Sequence, residues 1–219
     1  MIRSSFIDLF LETKILNMKK IISYSLVVIA MLFFSFKTGA LLPIGSDMPM
    51  QDKKMLDISG KDVSMKDAMK GNGVVVIFSS NTCPYVIKNQ ERITTLVDFA
   101  TKLNFGVIIL NSNEAYREKE ESYEAMKEYA VENKMNCFYT IDKNSEVADA
   151  FGANRTPECF LFDKNMKLAY HGAIDDNPTD ATAVTRSYLA DAMAQLSNNK
   201  EVTIKESKSV GCGIKRKKV

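Results

Sequence analysis

Four cysteines (Cys83, Cys137, Cys159 and Cys212) and a single histidine (His171) are the side chains in this sequence suited to nucleophilic or redox work. Cys83 has the most informative surroundings. Val74 to Phe78 is an unbroken apolar run, bounded by glycines before it and by Ser79-Ser80-Asn81-Thr82 after it, the pattern of a strand buried on both faces. From Cys83 onward Val86, Ile93, Leu96, Val97 and Ala100 recur at helical spacing, and Pro84 falls in a first turn, where proline is tolerated. A cysteine at this hand-over faces free backbone N–H groups and the positive end of a helix. Both favour thiolate over thiol, so its pKa should fall below the free value of about 8.5. That is the setting of a nucleophilic sulfur, whereas a lone cysteine elsewhere is usually an inert core residue.

The other candidates carry weaker signals. Cys212 lies in Val210-Gly-Cys-Gly-Ile-Lys215, where glycines permit backbone movement and Lys215 with its basic neighbours favours a thiolate. It is either a resolving thiol for an oxidised Cys83 or a free or structural tail thiol. Cys159 follows Pro157 by two residues, so strand alternation puts both on one face; it either approaches Cys83 or fills core space. Cys137 opens an edge segment and reads as structural. His171 reads as a turn histidine, or alternatively as a general base. Tyr85, beside the sulfur, either shapes substrate access or covers the helix end.

The elements that must position these residues alternate. Lys54 to Ile58 and Val63 read as a small hairpin, followed by a Ser64-capped helix to Met69. The core strand and the cysteine helix (83 to about 103) come next, then a strand at Phe105–Leu110 and a helix at Glu120–Asn133 whose surrounding charges read as its solvated side. A short strand at Phe138–Ile141 and a helix at Ser145–Phe151, ended by Gly152, precede a hairpin of Glu158–Phe162 and Lys167–His171. Thr182 to Leu196 reads as a long final helix. The order predicts an α/β fold with a central mixed sheet covered by helices on both faces.

Strand, Ser/Asn/Thr turn, Cys83-Pro84 and helix, followed much later by Arg155-Thr-Pro-Glu-Cys-Phe-Leu-Phe-Asp163, resemble the thioredoxin-fold superfamily. Within it the chain is similar to the redoxin group that includes alkyl hydroperoxide reductase and thiol-specific antioxidant proteins, over roughly Leu42 to Lys215. The resemblance implies a cis bond at Thr156-Pro157 packed against Cys83. It implies Cys83, Ser80 and Pro157 as catalytic positions, to which the residue reading adds Cys212, with Thr82, Tyr85 and Thr156 expected to meet the substrate. The dithiol members carry a second cysteine three residues on, where this chain has Val86. The peroxidase members carry Thr or Ser three residues before the sulfur, which Ser80 satisfies, and an arginine where this chain has Pro157; Arg155 stands two residues earlier. The implied activity is thiol-dependent reduction of a peroxide or a disulfide, recycled by an external thiol reductant or a protein dithiol. No cofactor is implied. The other reading is a redox-inert module that binds peptides or partner proteins beside Pro157.

Composition and charge narrow the setting. Lys and Arg total 29 against 27 for Asp and Glu, so a nucleic-acid partner is not indicated. The basic cluster Lys215–Lys218 reads as a solvated tail. One histidine and no Cys-x-x-Cys pair argue against zinc. Met18-Lys-Lys, the apolar segment Ile21–Phe36 and the small residues Thr38-Gly-Ala40 read as an export signal cleaved after Ala40. A bilayer span needs about 20 apolar residues, so membrane attachment is expected only if this segment stays uncleaved. Residues 1–40 are thus expected as upstream sequence and signal, and 41–219 as one domain in a periplasmic or other exported, oxidising compartment.

Overall fold

The computed structural model describes residues 39–217, so the expected export signal lies outside the described residues except for its last two positions. A two-stranded hairpin, β1 (Met55–Leu56) and β2 (Asp62–Val63), leads into the short helix α1 (Met65–Ala68). Ser64 and Asp67 cap α1 reciprocally, each side chain bonding the other's backbone N–H. The central sheet contains β3 (Gly73–Ser79), β4 (Phe105–Asn111), β5 (Phe138–Ile141), β7 (Glu158–Asp163) and β8 (Leu168–Gly172) in the order β5-β4-β3-β7-β8. β3, β4 and β5 are mutually parallel, β7 runs antiparallel to β3, and β8 antiparallel to β7. The helices are α2 (Pro84–Lys102), α3 (Tyr123–Glu132), α4 (Glu146–Phe151) and α5 (Tyr188–Ser197). A second two-residue ladder joins β6 (Arg155–Thr156) to β9 (Cys212–Gly213).

β3 is buried along its whole length because both of its faces are covered. Val75 and Ile77 pack with Val86, Ile93, Leu96 and Val97 of α2 and with Leu189 and Met193 of α5. Val74, Val76 and Phe78 point the other way, toward α1 and α4. There Phe151 meets Phe78 and Phe160 edge to face, at centroid distances of 5.5 and 5.1 Å. The 86, 93, 97, 100 spacing of α2 buries one stripe, each large aliphatic contributing about 1.5–3 kcal/mol. These two layers fix the end of β3 against the start of α2.

Two helices differ from the sequence expectation. Ser122, whose hydroxyl accepts from the Ala125 N–H at 3.2 Å, starts α3 at Tyr123 and leaves Glu120 and Glu121 outside it. The expected helix from Thr182 to Leu196 is broken. A 3-10 turn at Ala181–Ala183 is followed by extended backbone, because the Asp176 carboxylate binds the N–H and hydroxyl of Thr185 while its own N–H bonds the Arg186 carbonyl. These tertiary bonds outcompete helical ones, and α5 begins only at Tyr188.

Candidate active site

Ser80 to Cys83 form the turn between β3 and α2. Cys83 is the N-cap residue, with extended backbone (φ −71°, ψ 119°), and Pro84 takes the first helical position. Proline has no N–H, so the first free donors of α2 come from Tyr85 and Val86. Their effects divide between two sulfurs: the Val86 N–H lowers the pKa of Cys83, and the Tyr85 N–H works to lower that of Cys212. Cys83 is buried, at 2% exposure. Its thiol donates to the Thr156 carbonyl at 3.1 Å. The Thr156 hydroxyl, buried without a conventional partner among the described residues, is left beside the same sulfur.

The Thr156-Pro157 bond is cis, as the resemblance implied. Thr156 belongs to β6, and its register partner is Cys212. This ladder brings Cys212 onto Cys83. Burial pushes the Cys83 thiol up, but hydrogen bonds from the Cys212 thiol, from Thr156 and from the Val86 and Cys212 N–H groups outweigh it, and its pKa falls below the ordinary thiol value. Cys212 moves oppositely. Burial, its bond to Cys83 and the Cys83 charge push it up to about 11, against which Lys215 acts only weakly. The expectation that basic neighbours make Cys212 a ready thiolate is therefore reversed. Of the two sulfurs, Cys83 ionises first and Cys212 keeps its proton.

The expected mobile tail is also corrected. The Ile214 N–H bonds the Asn154 carbonyl, Lys215 is tied through its backbone to Asn113 and Ala115, and Arg216 pairs with Asp149 at 2.7 Å and with the Ala153 carbonyl. The basic cluster is thus partly pinned to the domain. Gly211 serves close approach: a Cβ there would lie 2.0 Å from the Thr156 carbonyl oxygen. Arg155 is exposed and donates to the Gly211 carbonyl at 3.2 Å, so it secures the tail instead of flanking the thiolate.

Neither of the remaining cysteines is among the groups that set the ionisation of this pair. Cys159 is fully buried in β7, opposite Ile77 and Gly172, and burial raises its pKa far above the usual range. Cys137 precedes the edge strand β5, its pKa pushed up to about 12 by burial and by Asp57. His171 is in strand β8, not in a turn, and is buried against Phe160 with its Nε2 3.7 Å from the Glu158 carboxylate. The other oxygen of Glu158 accepts the Asn154 and Arg155 N–H groups at 2.8 and 3.1 Å, clamping the approach to β6. Tyr85 is half-buried, its N–H acting weakly to lower the Cys212 pKa, while Thr82 is exposed in the turn.

Sequence reasoning missed Glu121. Its charge reads as part of a solvated flank, yet the residue is fully buried behind the Cys83 turn. One carboxylate oxygen accepts from the Ser80 hydroxyl (2.5 Å), the Thr82 hydroxyl (2.9 Å) and Asn113 Nδ2 (3.1 Å). The other accepts from the Asn81 N–H (2.9 Å) and Asn111 Nδ2 (2.5 Å). Ser80 Oγ in turn accepts the N–H groups of Thr82 and Cys83, each at 3.2 Å. Tyr139 donates to Asn81 Oδ1 at 2.7 Å and closes the network from β5. The signal available in the sequence is two polar runs, Ser80-Asn-Thr82 and Asn111-Ser-Asn113, each lying at the end of a buried strand.

Known structures share this architecture. An uncharacterized conserved protein from Geobacillus kaustophilus is 30% identical, with a TM-score of 0.76 over 82% of this chain and 95% of that one. Peroxidoxin BcpB from Mycobacterium tuberculosis (13% identity, TM-score 0.54) and a putative thiol:disulfide interchange protein DsbE from Chlorobium tepidum (15%, 0.53) each align over 72% of this chain and 97% of their own, and show the thioredoxin-like fold. A search of curated proteins finds no match. A family model described as Redoxin matches residues 43–207, which take in the Cys83 turn, the cis-proline and the whole central sheet and stop short of β9. The chain belongs to the Redoxin family.

Proposed function

We propose that this protein is a thiol-disulfide oxidoreductase whose redox couple is Cys83 and Cys212. The observation that carries the reading is that Thr156 holds both cysteines: its carbonyl accepts the Cys83 thiol, and its register partner across the ladder is Cys212. The Cys83 thiolate attacks a substrate disulfide R–S–S–R, forming Cys83–S–S–R and releasing RS⁻. Cys212 then gives up its proton and attacks Cys83 Sγ, which expels the second RS⁻ and closes a Cys83–Cys212 disulfide. The substrate gains two electrons and the protein loses two. A dithiol reductant reverses the oxidation by exchange. With a peroxide as oxidant, Cys83 becomes a sulfenic acid and the same attack by Cys212 releases water. Cys212 takes the resolving role that Val86, fully buried in the core, cannot supply.

Access supports a polypeptide or small disulfide substrate. A cleft lined by Asn89, Pro157, Ile174, Tyr188 and Val210 opens beside the cis-proline. Export remains part of the proposal through the sequence of residues 18–40. An oxidising compartment supplies disulfide substrates.

Peptide mapping after stepwise treatment with hydrogen peroxide or an aromatic disulfide tests the couple. A Cys83–Cys212 disulfide is expected with Cys137 and Cys159 still reduced. Recycling of oxidised Cys83 at the wild-type rate in a Cys212→Ser variant would sink it. N-terminal sequencing of the cell-purified protein tests export: a chain starting near Leu41 supports it, and an intact Ile21–Phe36 segment rejects cleavage.

A further inference from the structure

The turn that carries Cys83 contains two hydroxyl groups, and both have their single proton committed to one atom. Ser80 and Thr82 donate to the same oxygen of Glu121, at 2.5 and 2.9 Å. A hydroxyl has one proton and two lone pairs. Ser80 is therefore held as an acceptor on the side facing Cys83, where it takes the Cys83 and Thr82 N–H groups. The carboxylate is itself fixed, because all five groups around it are donors and it is fully buried.

We infer that Glu121 is a positioning residue that selects the oxidant of Cys83: by holding the protons of Ser80 and Thr82, it withholds both turn hydroxyls as hydrogen-bond donors to the departing oxygen of a peroxide and leaves disulfides favoured. The inference rests on the Cys83 chemistry proposed above and decides between its two oxidants. The reason is the leaving group. A disulfide releases a thiolate, whose conjugate acid has a pKa of about 8.5 and which departs near neutral pH without help. Attack on a peroxide, Cys83–S⁻ + ROOH + H⁺ → Cys83–SOH + ROH, releases an oxyanion. The conjugate acid of hydroxide, water, has a pKa of about 15.7, so the departing oxygen must receive a proton as the O–O bond breaks. The donors still facing the sulfur are the Val86 and Cys212 N–H groups, the Cys212 thiol and the Thr156 hydroxyl, which lies under β9 with its residue 1% exposed. The two hydroxyls of the turn itself are occupied.

The test compares the rates at which Cys83 of the full-length protein reacts with hydrogen peroxide, read by dimedone trapping, and with dithiobis(nitrobenzoate), read by released thiolate. Glu121→Ala frees both hydroxyl protons and is expected to raise the peroxide-to-disulfide rate ratio at least tenfold. It should also lower the apparent pKa in the Cys83 labelling profile, since a freed hydroxyl then donates to the thiolate. Adding Ser80→Ala and Thr82→Val should cancel both changes. Equal scaling of the two rates in Glu121→Ala, with an unmoved labelling profile, overturns the inference. Ser80→Ala with Glu121 intact is an independent test should Glu121→Ala fail to fold. The two rates are expected to move together within about threefold, and a selective tenfold loss of the peroxide rate would overturn the inference. A Cys83 that reacts with neither oxidant in the unaltered protein refutes the functional reading itself, a result distinct from either outcome.

Discussion

Thr156 and Cys212 stand opposite each other in a two-residue antiparallel ladder, and the carbonyl of Thr156 accepts the Cys83 thiol. One residue thus holds one sulfur through its carbonyl and the other through its strand register. Gly211 lets the two backbones meet. Gly211→Ala would place a methyl group 2.0 Å from the Thr156 oxygen, so β9 must lift away. Gly213→Ala has its nearest atom at 3.9 Å and serves as the control. The expected outcome is a tenfold or greater fall in the rate of Cys83–Cys212 closure for Gly211→Ala and little change for Gly213→Ala, measured by quenched alkylation and mass spectrometry.

The two thiols should titrate in a fixed order. Cys83 is expected to be alkylated by iodoacetamide with a midpoint below the ordinary thiol range, and Cys212 only as the pH approaches about 11. Cys83→Ser should bring the Cys212 midpoint down, because the thiol hydrogen bond and the charge that raise it are both removed. Cys212→Ala should raise that of Cys83, which loses a thiol donor. The signs in stability are opposite as well. The Cys83 contribution is present above its unfolded pKa and is lost as pH falls through the folded value. The Cys212 contribution is present below its unfolded pKa and is lost as pH rises through about 11. Cys159 should stay unlabelled until the protein unfolds.

The face of the sheet opposite α2 can be weakened without touching this chemistry. Phe151 is fully buried and meets Phe78, Phe160 and Phe162 edge to face. Phe151→Ala should cost about 3–5 kcal/mol by denaturant unfolding. The labelling midpoint of Cys83 in the folded variant should stay at its wild-type value, because none of its hydrogen-bond partners comes from α4.

The strand-to-helix passage at Cys83 is legible in the sequence because two periodicities meet there. Val74–Phe78 alternates between two buried faces, and Val86 to Ala100 follows one helical stripe, so local pattern and global packing agree. The cis bond at Pro157 follows from resemblance alone. Cys212 stands out as a resolving candidate through its flanking glycines and basic neighbours, but the mobility that Gly211 suggests is in fact a close backbone contact. The final helix starts later than its pattern implies because Asp176, outside the segment, supplies the bonds that hold Thr185 extended. Glu121 is hidden for a related reason. Its acidic neighbours suggest a solvated face, and only the fold brings together five donors, from the turn before α2 and from the end of β4, to meet it.

Cys212 lies near the end of the described chain and Cys83 just after its central strand, so a bond between them would close a ring of about 130 residues around nearly the whole sheet. A cross-link of that span restricts the unfolded chain by roughly 5 kcal/mol at most. Oxidation would therefore change how long the protein survives as well as what it can react with. The molecule would be hardest to unfold and digest when its thiols are spent, and most vulnerable when they are ready for use.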